Sequence, residues 1–519
     1  MTDIILKLGS GKNDESYDWG TDALKIGVNI IAPHFKCLFK AFLIHGHISQ
    51  LFLCCALLPI VKNAKNSKFA SENYRLIAIS SLILKLLDYI ILALYGDNFS
   101  SENLQFGFQK NSSTSMCTWM FLETVNYFTN RGSPVYACLL DLTKAFDTVK
   151  HDKLFRKLIH KVPPLFLRLV IYSYVYQSVY VKWSGINSES FSIRNGVRQG
   201  AVASPTFFNI YLDELFTILK NSGLGCVIND LYYGLFGYAD DCSLLSPSCE
   251  ALQRMLNICQ KYFEDHGIRI SVSDIVEKSK TKCLAFNSKI IPASIMLYDK
   301  PLPWADSYKH LGHLINTDEH MSHDLFTKRA EFISKAHSLR QELGFQDPLV
   351  FMKLVMVYLS SMYGSNLWDL FGEAASKLYI SWNVLIKTTY NLPYATHRYI
   401  LQDLVPFPHI RLCLLRRFVK FYSQLQMCPK IEVRNLFHLQ KHDTRSTFGR
   451  NCFKLIRECN VTHFDDININ NIKMPIKTPE TEGWRLPFVQ ELLSIKRGNH
   501  AVDINSTEIN NYMNFICTS

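Results

Sequence analysis

The chain of 519 residues has no long hydrophobic run. The apolar stretch LFLCCALLPIV (51–61) is too short to cross a bilayer and runs into Pro59. SLILKLLDYIILALY carries Lys85 and Asp88 at helical spacing, which suits a helix in a protein core. The opening MTDIILKLGSGKNDESYDWG lacks a basic segment followed by an apolar one, so no secretory leader is read there. Neither an internal repeat nor a low-complexity tract occurs, which excludes a repeat architecture. Strands and helices alternate without the glycine signature of a dinucleotide-binding βαβ unit. The 15 cysteines are scattered, many in apolar settings such as LFLCCALL and YACLLDL; they read as small buried hydrophobes and not as a disulfide framework. These absences point to a reducing intracellular compartment, cytoplasm and/or nucleus, with no membrane partner.

What is present is core-forming and basic. Apolar residues make up 48% of the chain and charged ones 19%, enough to bury two to four subdomains and too apolar for a disordered tail. Lys and Arg number 56 against 45 Asp and Glu, a net charge of +11 that suits a polyanionic partner such as nucleic acid. Residues 22–58 carry apolar positions three and four apart and read as helical; 58–75 reads as a strand leading into a polar loop, and 80–95 as a helix. SPVYACLLDLTKAFDTVKHDKLFRKLI (133–159) begins as an apolar strand, breaks at Asp-Leu-Thr-Lys and resumes as a helix. SFSIRNGVRQGAVASPTFFNIYLDELFTIL (190–219) reads strand, glycine-bearing loop, helix, with Pro205 in the first turn, where its missing N–H costs nothing. LYYGLFGYADDCSLLS (231–246) reads as a hairpin tipped by Asp240 and Asp241. In 250–270 Leu252, Met255, Leu256, Cys259, Tyr262 and Phe263 share one helical stripe, and Gly267 stops it. The pattern predicts a mixed α+β domain over about 60–300 and a mainly helical remainder, with 464–484 as loop or linker.

Asp240 and Asp241 interrupt an otherwise apolar run. A buried carboxylate without compensation is costly, so the protein must supply a cation, a hydrogen-bond network or an exposed strand end. Hard carboxylate oxygens are the ligand type for Mg²⁺. A two-metal site needs a further carboxylate from another strand, holding the ions ~4 Å apart. Asp141, which ends the apolar strand of CLLDLTKAFD, offers one. Each signal has an ordinary alternative: an Asp pair in a solvated turn, and Asp141 as a helix cap. Two histidine-bearing spots invite a zinc reading, KHLGHL (His310, His313) and the set Cys452, Cys459 and His463, of which the latter lacks a fourth ligand at a suitable spacing.

The ordered set YACLLDLTKAFDTVKHDKL, NGVRQGAVASPTFFNIYLDEL, FGYADD, SKTKCLAF and YKHLGHLI resembles the reverse transcriptases of non-LTR (LINE-type) retrotransposons. VKNAKNSKFASENYRLIAISSLILKLLDYII and QFGFQKNSSTSMC are similar to that family's fingers motifs, and the likeness covers residues 22 to 400 or so. It implies a right-hand polymerase fold of fingers, palm with antiparallel sheet, and thumb, with a mostly helical C-terminal region. By the same resemblance the organisation is an N-terminal helical extension (1–57), fingers (58–134), palm (135–300), primer grip and helical thumb-like region (301–430) and a partly looped tail (431–519). The implied activity is RNA-directed DNA synthesis with Mg²⁺, or Mn²⁺ in its place, on an RNA template, with a DNA primer or target and dNTPs as further partners.

The resemblance also assigns roles. Asp141, Asp240 and Asp241 match the metal-binding aspartates, and the carbonyl of Leu142 a further ligand. Phe146 matches the aromatic gate under the sugar, with a core phenylalanine as the alternative. Gln199 and Gly200 match the loop that meets nucleotide and template, and Arg198 is a phosphate candidate beside them. Lys62 and Arg75 are candidates for the triphosphate, since arginine forks match phosphate oxygens. Lys280 resembles a lysine that protonates pyrophosphate, with Lys282 equally placed. Lys353, Arg416, Arg417 and Lys420 beside aromatics suit a template–primer duplex.

Departures are few. Leu76 stands where the family has proline, and GIRISVSDIVEKSKTK lacks an asparagine and is longer. No endonuclease or ribonuclease H pattern is read, so a fragment of a longer reading frame is expected. The competing function is a retroelement remnant that binds RNA or DNA without polymerising.

Overall fold

The computed structural model describes residues 1–467 except 15–18, 289–291, 319–321, 345–346, 399–400, 402–404 and 406. Most of the expected linker at 464–484 therefore lies outside the described residues. Of the described residues, 1–117 with 132–305 form one compact unit, and 118–131 with 306–467 form another.

The strands of the first unit are β1 (Cys54–Val61), β2 (Tyr74–Ile79), β3 (Val135–Leu140), β4 (Ser178–Trp183), β5 (Leu235–Tyr238), β6 (Asp241–Ser246) and β7 (Lys282–Phe286), with two-residue pairs between them. β5, β6, β3 and β7 lie side by side in that order, all antiparallel. β3 is apolar along nearly its whole length because both of its faces are covered: Ala137 and Leu139 on one side and Cys138 and Leu140 on the other are all buried. The helix Cys249–Asp265 packs against this sheet through the predicted stripe, whose six members are buried, and Gly267 follows in the left-handed region at φ 73°.

A second sheet joins β2, β1 and β4, with β1 and β4 parallel over Cys54–Leu57. The helical reading of 22–58 thus ends early. Helices span Thr21–Ile26, Val28–His45 and Gln50–Leu53, and from Cys54 the chain is strand. Tertiary pairing decides this, because Cys54 to Leu57 gain partners on β4 that no local periodicity reveals. Pro59 is tolerated because the pairing with β4 stops at Leu57, so its missing N–H faces no partner there.

The second unit contains a hairpin of β8 (Ser307–His310) and β9 (His313–Asn316), followed by helices that include Ser322–Leu343, Pro348–Tyr358, Glu373–Thr389 and Ile410–Gln426. Residues 431–459, expected as the start of a tail, form helices Ile431–Gln440 and Thr447–Cys459. Their Phe437 and Phe448 pack on Tyr422 at 4.8 and 6.1 Å between ring centres. The architecture is the expected α+β class with a mainly helical C-terminal part. Among the described residues no helix is long and apolar enough to cross a membrane.

Candidate active site

The register of the first sheet builds the site. Leu140 pairs with Cys242, so the next position on each strand sets Asp141 beside Asp241. On the other side Tyr238 pairs with Asp241, which leaves Ala239 and Asp240 as the hairpin turn. Asp240 alone is therefore at the tip; Asp241, expected there too, is the first residue of β6.

Ala239 has φ 57°, in a turn position usually given to glycine, and the strain is held from outside the hairpin. Gln105, 1% exposed, accepts from the Ala239 N–H at 3.0 Å and donates to its carbonyl at 3.5 Å, replacing a missing strand neighbour. The same side-chain oxygen accepts from Gly107 N at 3.0 Å. Phe106 N donates to the Gly237 carbonyl at 2.7 Å, and Gly237 N to the Leu104 carbonyl at 3.0 Å, so residues 104–107 run along β5. A Cβ on Gly107 would stand 2.2 Å from Ala239 N, which makes this glycine a requirement of the approach.

The three carboxylates act on one another. Desolvation, then the charges of Asp240 and Asp141, pushes Asp241 up to about 7. Asp240 is also raised by desolvation, with Arg75 pulling it down and Asp141 pushing it up. Lys280, 74% exposed, places Nζ 4.0 Å from Asp141 Oδ2, whereas Lys282 lies within β7 opposite Leu139. Asp141 is fixed through its backbone: its N–H donates to Thr281 Oγ1 at 3.2 Å and its carbonyl accepts from Ser271 N at 2.7 Å. Leu142 stands opposite Ile270 in a two-residue ladder. Mutually repelling hard oxygen donors suit a divalent cation. Among the described residues no group of three or more His, Cys, Asp or Glu side chains is drawn together closely enough to hold an ion alone.

Beyond Asp141 the chain turns through Lys144 (φ 47°) into the short helix Ala145–Thr148. Phe146 is half-buried and stacks on Phe208 of the helix Ser204–Asn221, ring centres 4.3 Å apart and planes 15° apart. The loop before that helix lies on this turn: Gly196 N donates to Val149 O at 2.7 Å and Val197 N to Phe146 O at 2.8 Å. Gln199 Nε2 donates to Asp147 Oδ1 at 2.8 Å, and the Gln199 carbonyl accepts from Ala78 N on β2 at 2.6 Å. Gly200 sits at φ 104°, where a Cβ would be 2.9 Å from the Ala78 carbonyl. Lys62 and Arg75 are exposed, and both charges reach Asp147 along with that of Lys144. Desolvation outweighs these influences and leaves the Asp147 carboxyl above its usual range.

Arg198 is corrected. It is 6% exposed, its guanidinium lies 4.6 Å over the Tyr174 ring, and Nη2 donates to Ser173 Oγ at 3.4 Å. Asp88, whose Oδ2 accepts from Ala203 N at 3.1 Å, supplies opposite charge. Its burial, and not a full set of hydrogen bonds, turns the guanidinium away from the loop's exposed face, where the phosphate role would need it. Sequence reasoning passed over Gln105, Asp147 and Thr281. Asp147 stood inside a quoted motif one residue after Phe146, and Gln105 inside QFGFQK, so the motifs contained them, but nothing in their spacing said what they bond.

Residues 62–315 match the family described as reverse transcriptase (RNA-dependent DNA polymerase). A Pol polyprotein from the type-1 retrotransposable element R2 of Nasonia vitripennis is 25% identical over 301 residues, covering 56% of this chain and 28% of that protein. The RNA-directed DNA polymerase from the mobile element jockey of Drosophila funebris is 22% identical over 320 residues, 59% of this chain and 33% of that one. A solved telomerase from Candida albicans aligns at 12% identity and a TM-score of 0.37, covering 84% of this chain and 69% of that chain. The chain spans about a third of the length of these retroelement relatives.

Proposed function

We propose that the chain, whose residues 62–315 match the reverse transcriptase family and which is similar to Pol proteins of the R2 and jockey retroelements, is an RNA-directed DNA polymerase that extends a DNA 3′ end on an RNA template. The observation that carries this reading is the register that sets Asp141 beside Asp241, with Asp240 at the adjacent hairpin tip, Lys280 close to Asp141 and the charge of Arg75 acting on Asp240.

On this reading Asp141, Asp240 and Asp241, with the Leu142 carbonyl, would hold Mg²⁺ or Mn²⁺ together with the phosphates of the dNTP. The bound ions supply a lowered pKa for the primer hydroxyl and charge neutralisation at the leaving pyrophosphate. Lys62 and Arg75 receive the triphosphate. Phe146, its ring fixed by Phe208, fills the space of a ribose 2′-hydroxyl. Gln199 and Gly200 meet the nucleotide and the template, the glycine allowing close backbone approach. Lys280 gives its proton to the departing pyrophosphate. Copying takes place in the cytoplasm or nucleus, where an RNA template and a DNA target are found.

The test is incorporation of dTTP on an oligo(dT)-primed poly(rA) template by the purified chain with Mg²⁺. Asp240→Asn and Asp141→Asn are each expected to lower incorporation at least ~100-fold, since an electrostatic group in the reacting centre is worth that much. Undiminished incorporation by Asp240→Asn sinks the mechanism. Template binding by an inactive wild type would replace polymerisation with binding alone.

A further inference from the structure

We propose that Asp147 is a positioning residue that fixes the side-chain amide of Gln199 and thereby sets the affinity for the incoming nucleotide; this rests on the polymerase reading above. The two ends of a glutamine amide are opposite in hydrogen-bonding character, and a free side chain presents either. A carboxylate accepts only. The 2.8 Å bond from Gln199 Nε2 to Asp147 Oδ1 therefore selects one orientation and turns Oε1 away as the remaining acceptor.

The backbone supports the same conclusion. Gly196 and Val197 are bonded to Val149 and Phe146, and the Gln199 carbonyl is bonded to Ala78, so the main chain is held on both sides of the loop. A Cβ on Gly196 would lie 2.8 Å from the Asp147 carbonyl oxygen, so loop and turn are in direct contact there. With the backbone fixed, the amide of Gln199 is the remaining degree of freedom, and Asp147 removes it. Its carboxylate also stands within the charge influence of Lys144, Lys62 and Arg75, the last two being the candidates for the triphosphate. An oriented Oε1 accepts from an N–H or O–H donor of the nucleotide, and rotation of the amide would set two donors against each other.

The experiment compares wild type, Asp147→Ala, Asp147→Asn, Gln199→Ala and the double alanine variant. dTTP binding to the primed complex is measured by calorimetry with Mg²⁺, and KM and kcat by single-nucleotide incorporation. Asp147→Ala is expected to weaken dTTP binding and raise KM about tenfold while kcat changes little, the scale of a lost charge-assisted hydrogen bond. Asp147→Asn, which keeps an acceptor, should stay within about threefold of wild type, and the double variant should be no weaker than the weaker single one. An unchanged KM in Asp147→Ala, equal losses in the alanine and asparagine variants, or additive losses in the double variant overturn the proposal. A wild type that binds dTTP with this pattern of losses but incorporates nothing overturns the polymerase reading and leaves this one standing. A wild type that binds no dTTP overturns both.

Discussion

Gln105 pairs both backbone groups of Ala239 and the N–H of Gly107 with a single side chain, in a place where the sheet has run out. Replacing it with leucine leaves buried donors unpaired, so Gln105→Leu should cost about 1–3 kcal/mol in urea unfolding and lower incorporation together with it. Asp241 makes the opposite prediction. Its folded pKa of about 7 lies above the unfolded value of 3.8, so the unfolded state holds fewer protons between those values. Stability from this group is therefore full below about pH 3.8 and is lost as the pH rises through 7. At pH 8 Asp241→Asn should melt higher than wild type in metal-free buffer, by roughly 2 °C or more in a thermal scan. Mg²⁺ should raise the wild-type midpoint and move that of the variant less. A midpoint unchanged or lowered in the metal-free variant contradicts the desolvation and the repulsion by Asp240 and Asp141 described for this carboxyl. The residue pattern displayed these aspartates plainly, because charge in an apolar run is conspicuous. It did not display Gln105, since a buried amide and an exposed one are the same letter.

In the second unit the element of interest is the hairpin of β8 and β9. Its two turn residues, Leu311 and Gly312, have φ 49° and 83°, the twist that matches paired strands, and Leu311 is held there by the Tyr363 hydroxyl donating to its carbonyl at 2.8 Å. His310 and His313 face each other across the turn and are both buried, His313 stacked 4.8 Å from the Tyr363 ring. Desolvation, reinforced by the charge of His313, lowers His310 to about 3; desolvation and Lys328 lower His313 to about 4. The unfolded chain takes up protons near pH 6.5 while the folded one does not, so stability is full above that pH and falls as the pH drops towards 4. Each histidine contributes up to about 1.4 kcal/mol per pH unit across that window. Unfolding midpoints of the chain between pH 7.5 and 5 should decline, and His310→Leu should flatten the decline; a slope indifferent to His310 refutes this. The sequence displayed both histidines but not their burial, which depends on rings such as Phe121, distant in the chain.

For the whole molecule the relevant quantity is the net charge of +11. If the partner is a template–primer duplex, its affinity should fall at least about tenfold between 50 and 200 mM salt, as counterion release requires of a protein contacting several phosphates. Anisotropy titrations with a labelled RNA–DNA hybrid measure it, and a flat salt response argues against a nucleic-acid partner. The sequence by itself determined the strand that ends at Asp141, the hairpin of 231–246, the helical stripe of Cys249–Asp265, and the candidacy of Asp141, Asp240 and Asp241, because hydrophobic periodicity and conspicuous charge are local properties. Tertiary structure decided what depends on neighbours far along the chain. It ended the N-terminal helices at Cys54 by pairing the next residues with β4, and it withdrew Arg198 into a core shared with Asp88 and Tyr174. It also joined Asp147 to Gln199, 52 positions apart. Register is a property of paired strands, so the placement of Asp141 beside Asp241 exists only once β3 and β6 have met.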